Sequence, residues 1–171
     1  FVRHIVTDVK ISVILPAKNE AESIGNVLVG IFRFVPGAEV LVIDDGSTDD
    51  TAEIATAAGA TVVAHPYSKG NGAAIKTGAR TARGSILVFM DADGQHNPED
   101  IPRLLKAIEH GHDLAVGARS GSSQASVGRV AANKIYNRLA SWMVGHSVKD
   151  LTSGFRAVKA NKFREFIALL P

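Results

Sequence analysis

The sequence contains no cysteine, which excludes disulfide bonds and thiolate metal sites. It also lacks any apolar run of the roughly 18 residues that a membrane span requires. Its first residues do not show the charged-then-apolar layout of a signal peptide. We therefore expect a cytoplasmic protein that meets a membrane either peripherally, at its cytoplasmic face, or through a part outside this sequence.

Acidic residues are scarce in the last third of the chain. From Arg119 to Pro171 there are nine Lys and Arg against Asp150 and Glu165, a local balance of +7 in a chain whose net charge is +2. Such a region favours a phosphate-bearing partner, whether an anionic lipid headgroup, a nucleotide or a nucleic acid. For any single Lys there, a solvated surface is the commoner explanation.

The 171 residues, 46% hydrophobic and 21% charged, predict one globular domain over residues 1–171 with a sizeable core. Short β-branched runs alternate with amphipathic helical patterns. This alternation predicts a parallel, helix-flanked sheet with right-handed crossovers. The strands are predicted at 11–15, 39–43, 60–64, 86–90 and 113–116, and the helices near 19–31, 52–58, 73–83 and 98–110. A long helix at 127–144, a strand at 155–158 and a helix at 161–170 are predicted to follow.

Two carboxylates follow the most apolar strand, Ile-Leu-Val-Phe-Met at 86–90. Ligands sit at the carboxyl ends of strands in open α/β sheets. Asp91 and Asp93, with the amide oxygen of Gln95, supply the hard oxygen ligands that suit Mg²⁺ or Mn²⁺. The alternative is a solvated turn before the next helix, since Asp-Gly marks turns by itself. These residues alone leave both interpretations open.

The other strand ends carry polar loops at 16–20, 44–49 and 117–119. Asp44 and Asp45 either accept the imino N–H of a base or cap the following helix, whereas Ser47 and Asp49 are predicted to be caps. Gly70 and Gly72 open a helix and either present main-chain N–H groups to an anion or form a tight connection. The spacing matches neither the dinucleotide fingerprint nor the Walker loop.

Four motifs together resemble family 2 glycosyltransferases of the GT-A fold, most closely the branch of dolichyl-phosphate mannose synthase and polyprenyl-phosphate sugar transferases. The motifs are SVILPAKNE at 12–20, IDDGSTD at 43–49, MDADGQH at 90–96 and DLTSGFR at 150–156. The resemblance runs from about residue 11 to 158. It implies an α/β, Rossmann-like three-layer fold with a mainly parallel central sheet. The family usually continues past the last motif, so we expect a chain truncated at its C-terminus.

The resemblance also implies roles for individual residues. The nucleotide-sugar donor, a GDP- or UDP-sugar, would be held by Pro16, Ala17, Asn19, Glu20, Asp44, Asp45, Lys69, Gly70, Asp91, Ala92 and Asp93. Asp91, Asp93 and Gln95 would bind the divalent ion, and Arg119 and Arg129 would meet the acceptor phosphate. The family's Gly-Lys-Gly is Gly-Asn-Gly at 70–72, so either Lys69 reaches the donor diphosphate or the metal neutralises more of its charge.

The expected reaction is an inverting, metal-dependent transfer of a sugar to a polyprenyl phosphate at a membrane surface, without a nucleic-acid partner. A phosphate acceptor is already an anion near neutral pH, whereas a hydroxyl acceptor requires a carboxylate base. One alternative is a family 2 transferase to a saccharide hydroxyl, with Asp150 as the base. Another is a nucleotide-sugar-binding module without catalysis. The sequence does not predict an oligomeric state.

Several residues near these motifs have open roles. The histidines lack ligand spacing and are predicted to be structural, although His96 adjoins the metal stretch and either touches the acceptor or orients the loop. Phe155 and Arg156 either close the acceptor side or brace the sheet.

Overall fold

A six-stranded sheet forms the centre of the computed structural model, which describes residues 10–117 and 153–167. The strands are β1 (Ile11–Ala17), β2 (Glu39–Asp44), β3 (Thr61–Ala64), β4 (Ile86–Phe89), β5 (Leu114–Val116) and β6 (Arg156–Lys159). The helices are α1 (Ile24–Phe34), α2 (Thr51–Ala57), α3 (Asn71–Thr81), α4 (Ile101–Glu109) and α5 (Ala160–Ile167), with a 3-10 turn at Pro98–Asp100. The predicted helix at 127–144, together with Arg119, Arg129 and Asp150, lies outside the described residues.

The strand order is β3-β2-β1-β4-β6-β5. The pairs β2–β3, β1–β2 and β1–β4 are parallel, as predicted. The sheet is mainly parallel, as predicted, and its exception is β6, which lies between β4 and β5 and runs antiparallel to both. A strand of only four residues, Arg-Ala-Val-Lys, carries no signal of its direction. The pattern of apolar residues therefore could not reveal that this strand lies between β4 and β5.

Helices cover both faces of the sheet, which gives the three layers that the resemblance implies. On one face, α1, α2 and α4 pack on alternate residues of the strands, including Val13, Val42 and Val88. On the other face, α3 and α5 pack on the intervening residues, including Ile14 and Phe89. The central strands are apolar on both sides because both sides are covered. None of the helices in the described part of the chain has the length and hydrophobicity of a membrane span.

Candidate functional site

A cleft of about 300 Å³ lies where β1, β2 and β4 end. It is lined by Pro16, Ala17, Lys18, Glu20, Asp45, Ser68, Gly70, Asn71, Ala74, Asp91, Ala92 and Asp93. Eight of these are residues that the resemblance placed at the donor site. A larger depression of about 720 Å³ opens elsewhere, beside residues at the amino ends of β1 and β4, and none of the predicted site residues lines it. The smaller cleft is therefore the candidate site.

Asp91 and Asp93 lie on the turn that follows β4. The side chain of Asp91 is 30% exposed, and Asp93 is exposed, with its Oδ1 accepting the backbone N–H of Gln95 at 3.0 Å. Between them, the carbonyl oxygen of Ala92 accepts the Ser23 hydroxyl at 2.7 Å, which attaches the turn to the start of α1. Both carboxylates therefore reach one cleft from a fixed backbone.

The carboxylate oxygens of Asp91 and Asp93 fit a hard divalent cation. Two carboxylates open to solvent are the kind of ligand that Mg²⁺ and Mn²⁺ take, with waters and substrate phosphates completing the shell. Within residues 10–117 and 153–167, no cluster of three or more His, Cys, Asp or Glu forms a complete metal site. An ion held by Asp91 and Asp93 would need further ligands from its substrate and from water. Gln95 is exposed and does not line the cleft.

Asp45 is the most heavily hydrogen-bonded residue of the cleft. Its Oδ1 faces His65 Nδ1 at 2.7 Å and accepts the Lys69 N–H at 2.8 Å. Its Oδ2 accepts the Ser68 hydroxyl at 2.7 Å and the Gly70 N–H at 2.8 Å. Burial raises the pKa of the Asp45 carboxyl, but these four hydrogen bonds outweigh it and hold the pKa well below its usual range.

The anion that faces the main-chain N–H groups of the glycine-rich loop is thus a side chain of this protein. The sequence prediction left open whether this loop, which includes Gly70, holds an anion or makes a tight connection. The structure combines the two, because the Asp45 carboxylate binds the loop and tightens the entry into α3. Gly70 takes a φ of +91°, which a residue without Cβ adopts most readily.

His65 was missed as a site residue, since its position alone showed no ligand spacing. It is 8% exposed and sits between Asp45 and α3, with its Nε2 2.9 Å from the hydroxyl of Thr77. A signal was available, because His65 is the residue that directly follows β3. Side chains at that position reach the same sheet edge as Asp45.

The loops after β1 and β2 hold each other in place. Asn19, at a φ of +56°, donates its N–H to Ser47 Oγ at 3.0 Å and accepts the Thr48 N–H at its Oδ1 at 2.8 Å. Asp44 is buried and accepts the Ser47 N–H at 2.9 Å. Asn19 and Asp44 do not line the cleft, and they support the loops that do.

The two predicted helix caps have different outcomes. Asp49 lies one residue before the N-cap of α2, which is Asp50, and accepts the N–H of Thr51 from there, so it satisfies a helix N–H without being the N-cap. It also accepts the N–H of Ala21 at 3.1 Å. Ser47 does not cap α2. Its hydroxyl oxygen is occupied by Asn19, because the β1 loop passes close to it.

The cations near the cleft differ from those expected. Lys69 has its Nζ 5.6 Å from the centre of the Tyr67 ring and does not line the cleft. Lys18, which sequence reasoning did not single out, is exposed and does line it. Among the described residues that line the cleft, Lys18 is the one cation beside four carboxylates.

His96, Phe155 and Arg156 lie behind and beside the acidic pair. His96 is 8% exposed, with its Nε2 3.9 Å from Asp91 Oδ2. Phe155 is buried at 3% exposure, so it belongs to the core. Arg156 begins β6 and pairs with Phe89 of β4 and Val116 of β5. These positions favour the bracing role that the sequence left open for this pair.

Comparisons with known proteins agree with this fold. The model of the family described as "Glycosyl transferase family 2" matches residues 12–167. A polyprenol monophosphomannose synthase of Mycolicibacterium smegmatis is 38% identical over 86% of this chain and 60% of its own length. A dolichol-phosphate mannosyltransferase of Pyrococcus furiosus is 35% identical over 88% of this chain and 46% of its own length.

Solved structures show the same architecture. Glucosyl-3-phosphoglycerate synthase from Mycobacterium tuberculosis, in complex with Mn²⁺, uridine-diphosphate-glucose and phosphoglyceric acid, superposes with a TM-score of 0.72 at 31% identity. The match covers 89% of this chain and 57% of that one. This chain thus spans roughly half the length of several of the proteins it resembles.

Proposed function

We propose, from the premise that this chain belongs to glycosyl transferase family 2, that it transfers a sugar from a nucleoside-diphosphate sugar to a polyprenyl phosphate. The observation that carries the proposal is one cleft that joins the acidic pair Asp91 and Asp93 to the loops after β1 and β2. The names of the two curated relatives supply the acceptor class.

The residues of the cleft divide into two parts. Pro16, Ala17 and Glu20 form the wall on which the nucleoside of the donor, a GDP- or UDP-sugar, would lie, and Asp45 holds the facing loop in place. Asp91 and Asp93 would hold Mg²⁺ or Mn²⁺, which supplies Lewis-acid stabilisation of the departing diphosphate. Lys18 adds a positive charge to the same cleft and favours binding of an anionic donor.

The acceptor is proposed to be a phosphate because a nucleophile of that class needs no general base. The acids that follow the acidic pair in the described residues do not line the cleft. Glu109 lies 3.6 Å from Lys10, and Asp113 pairs with Lys159 at 2.7 Å. Arg119 and Arg129 are proposed to meet the acceptor phosphate, at the cytoplasmic face of a membrane.

A second candidate is transfer to the hydroxyl of a small phosphorylated acceptor. The structural similarity to glucosyl-3-phosphoglycerate synthase in complex with phosphoglyceric acid favours it. This reaction would require a base, for which Asp150 is the candidate. The two functions share a donor site and differ only in the acceptor.

A transfer assay separates them. Labelled UDP- and GDP-sugars are offered with polyprenyl phosphate, a free sugar or 3-phosphoglycerate, with Mn²⁺ or with EDTA. We expect label in the organic phase with polyprenyl phosphate alone, inversion at the anomeric carbon by NMR, and no product with EDTA. Glycosylation of the sugar or of phosphoglycerate, with none of polyprenyl phosphate, would refute the lipid acceptor.

An Asp93→Asn variant tests, in the same assay, whether the acidic pair takes part in catalysis. Losing one of two carboxylates should lower kcat/KM by about 100-fold or more, since metal stabilisation of a leaving group contributes several kcal/mol. Asp50→Asn is the matched control, because Asp50 is exposed and its side chain makes no capping hydrogen bond. Wild-type activity in Asp93→Asn would rule out catalysis through the acidic pair.

A further inference from the structure

We infer that His96 and Gly154 are positioning residues for the Asp91 carboxylate, so that the chain entering β6 sets how firmly the acidic pair holds a divalent ion. This inference rests on the proposed function for its consequence, although the contacts themselves do not. It assigns a role to a histidine and a glycine that the proposed donor site does not use.

Gly154 lies directly against the carboxylate of Asp91. A Cβ built on Gly154 would fall 2.8 Å from both Cγ and Oδ1 of Asp91, and closer still to Oδ2. The backbone of Gly154 does not take a positive φ, so conformation is not what demands glycine here. Because the carboxylate occupies the space that a Cβ would fill, a side chain at position 154 would displace the Asp91 carboxylate.

His96 approaches the same carboxylate from within the protein. Its Nε2 lies 3.9 Å from Asp91 Oδ2, within the reach of an ion pair but longer than a hydrogen bond. The imidazole is 8% exposed and stacks on the ring of Phe155, with centroids 5.1 Å apart and planes at 26°. A stacked, buried ring has few alternative rotamers, so its nitrogen stays near Asp91.

Phe155 connects the His96 ring to the sheet. Its N–H donates to Ser153 Oγ at 3.2 Å, and its carbonyl accepts the N–H of Gly117 at 2.9 Å, just beyond β5. A Cβ on Gly117 would overlap the Phe155 ring, so this contact is also tight. Gly154 and Phe155 are adjacent in the chain. The backbone of Gly154 contacts the Asp91 carboxylate, and the ring of Phe155 supports the His96 imidazole beside that carboxylate.

The consequence is a preorganised metal ligand. Residues that orient a ligating side chain from behind typically change metal affinity by 10–100-fold when they are replaced. A carboxylate that loses its backing must be ordered by the ion itself, which weakens binding. We therefore expect replacement of His96 or Gly154 to weaken Mn²⁺ binding without removing either metal ligand.

The experiment titrates Mn²⁺ into the whole chain in the presence of UDP, and again with GDP, and follows free Mn²⁺ by EPR. Gly154→Ala and His96→Phe should each weaken Mn²⁺ binding by about 10–100-fold, whereas His96→Gln, which retains an N–H donor, should recover part of the loss. Gly25→Ala and His112→Phe are the matched controls. A Cβ on Gly25 meets only ordinary contact with Ile54, and His112 is exposed.

Thermal unfolding of each variant without metal separates this effect from misfolding. Wild-type affinity in folded His96→Phe and Gly154→Ala would overturn the inference. If the wild-type chain itself binds no Mn²⁺ with either nucleotide, the proposed function fails. The positioning role is then decided by crystal structures of the metal-free variants, in which an unmoved Asp91 carboxylate would refute it.

Discussion

Asp45 has a carboxylate that the protein itself already occupies. Each of its two oxygens has two partners, which come from His65, Ser68 and the backbone of Lys69 and Gly70. A carboxylate offers about four acceptor positions, so all of them are in use. A nucleobase N–H reaches Asp45 only if one of these partners gives way.

Acid should therefore remove part of the stability that Asp45 provides. Its pKa is lower in the folded chain than the value near 3.9 expected in the unfolded one. Such a group stabilises the fold above the unfolded pKa, and the contribution is lost as the pH falls towards the folded pKa. We expect Asp45→Asn to be less stable than the wild type at pH 7, and the difference to shrink by about 1 kcal/mol on going to pH 3.

Urea unfolding of the wild type and of Asp45→Asn at pH 7 and pH 3 measures this difference in the free energy of unfolding. Burial raises the pKa of Glu39, but hydrogen bonds from Arg83 and Ser12 lower it below its usual value. Both proteins contain Glu39, so its effect cancels. Asp50→Asn should match the wild type at both pH values, and a pH-independent loss in Asp45→Asn would contradict the argument.

The residues of the site were predictable where a strong strand ends in charge. Asp91 and Asp93 follow the most apolar strand, and both reach the cleft. His65 and Lys18 were missed for another reason. Each is a single residue after a strand. The partners of His65, Asp45 and Thr77, and most residues that line the cleft with Lys18 come from other elements, so no local spacing exists to detect.

At the scale of elements, α3 packs closely on the sheet at Gly78. Gly78 of α3 faces Ile14 of β1 and Ile43 of β2, and a Cβ there would overlap Ile14 and lie 3.2 Å from Ile43. The helix carries the site residue Asn71 at its start and Thr77, the partner of His65. The close approach at Gly78 therefore sets the distance between the sheet and α3, whose first residue lines the cleft.

Two Gly→Ala substitutions within this helix should separate the effect of limited space on stability from the effect of helix propensity. Gly78→Ala adds a methyl group to a filled interface, and we expect it to lower the free energy of unfolding by about 1–3 kcal/mol. Gly72→Ala, in the same helix, meets nothing within 4 Å and should be neutral or stabilising by up to about 1 kcal/mol. Chemical unfolding of both variants is the measurement, and equal stabilities would refute close packing.

Element types were predictable from the sequence, but their arrangement was predictable only in part. The alternation of strand and helix placed five strands and four helices near their observed positions. The sequence also predicted a strand at 155–158, where β6 lies, but not its direction or its neighbours, because a four-residue strand after a long connection pairs wherever the tertiary contacts favour it. The structure alone reveals that β6 separates β4 from β5.

The whole molecule carries its charge unevenly, with a balance of +7 from Arg119 onwards. We expect the chain to bind vesicles that contain anionic lipid and to leave them as salt rises from 50 to 500 mM, because screening shortens the reach of surface charges. Vesicles of neutral lipid should bind weakly at every salt concentration. Co-sedimentation provides the measurement, and equal binding to both vesicle types would contradict an electrostatic origin.

The antiparallel course of β6 brings the end of β5 beside the start of β6. Val116 pairs with Arg156, and just beyond them the Gly117 N–H bonds the Phe155 carbonyl at 2.9 Å. A connection of any sequence between positions 117 and 155 therefore has to span only the width of one strand pair. Exchanging that connection leaves the register of both strands intact.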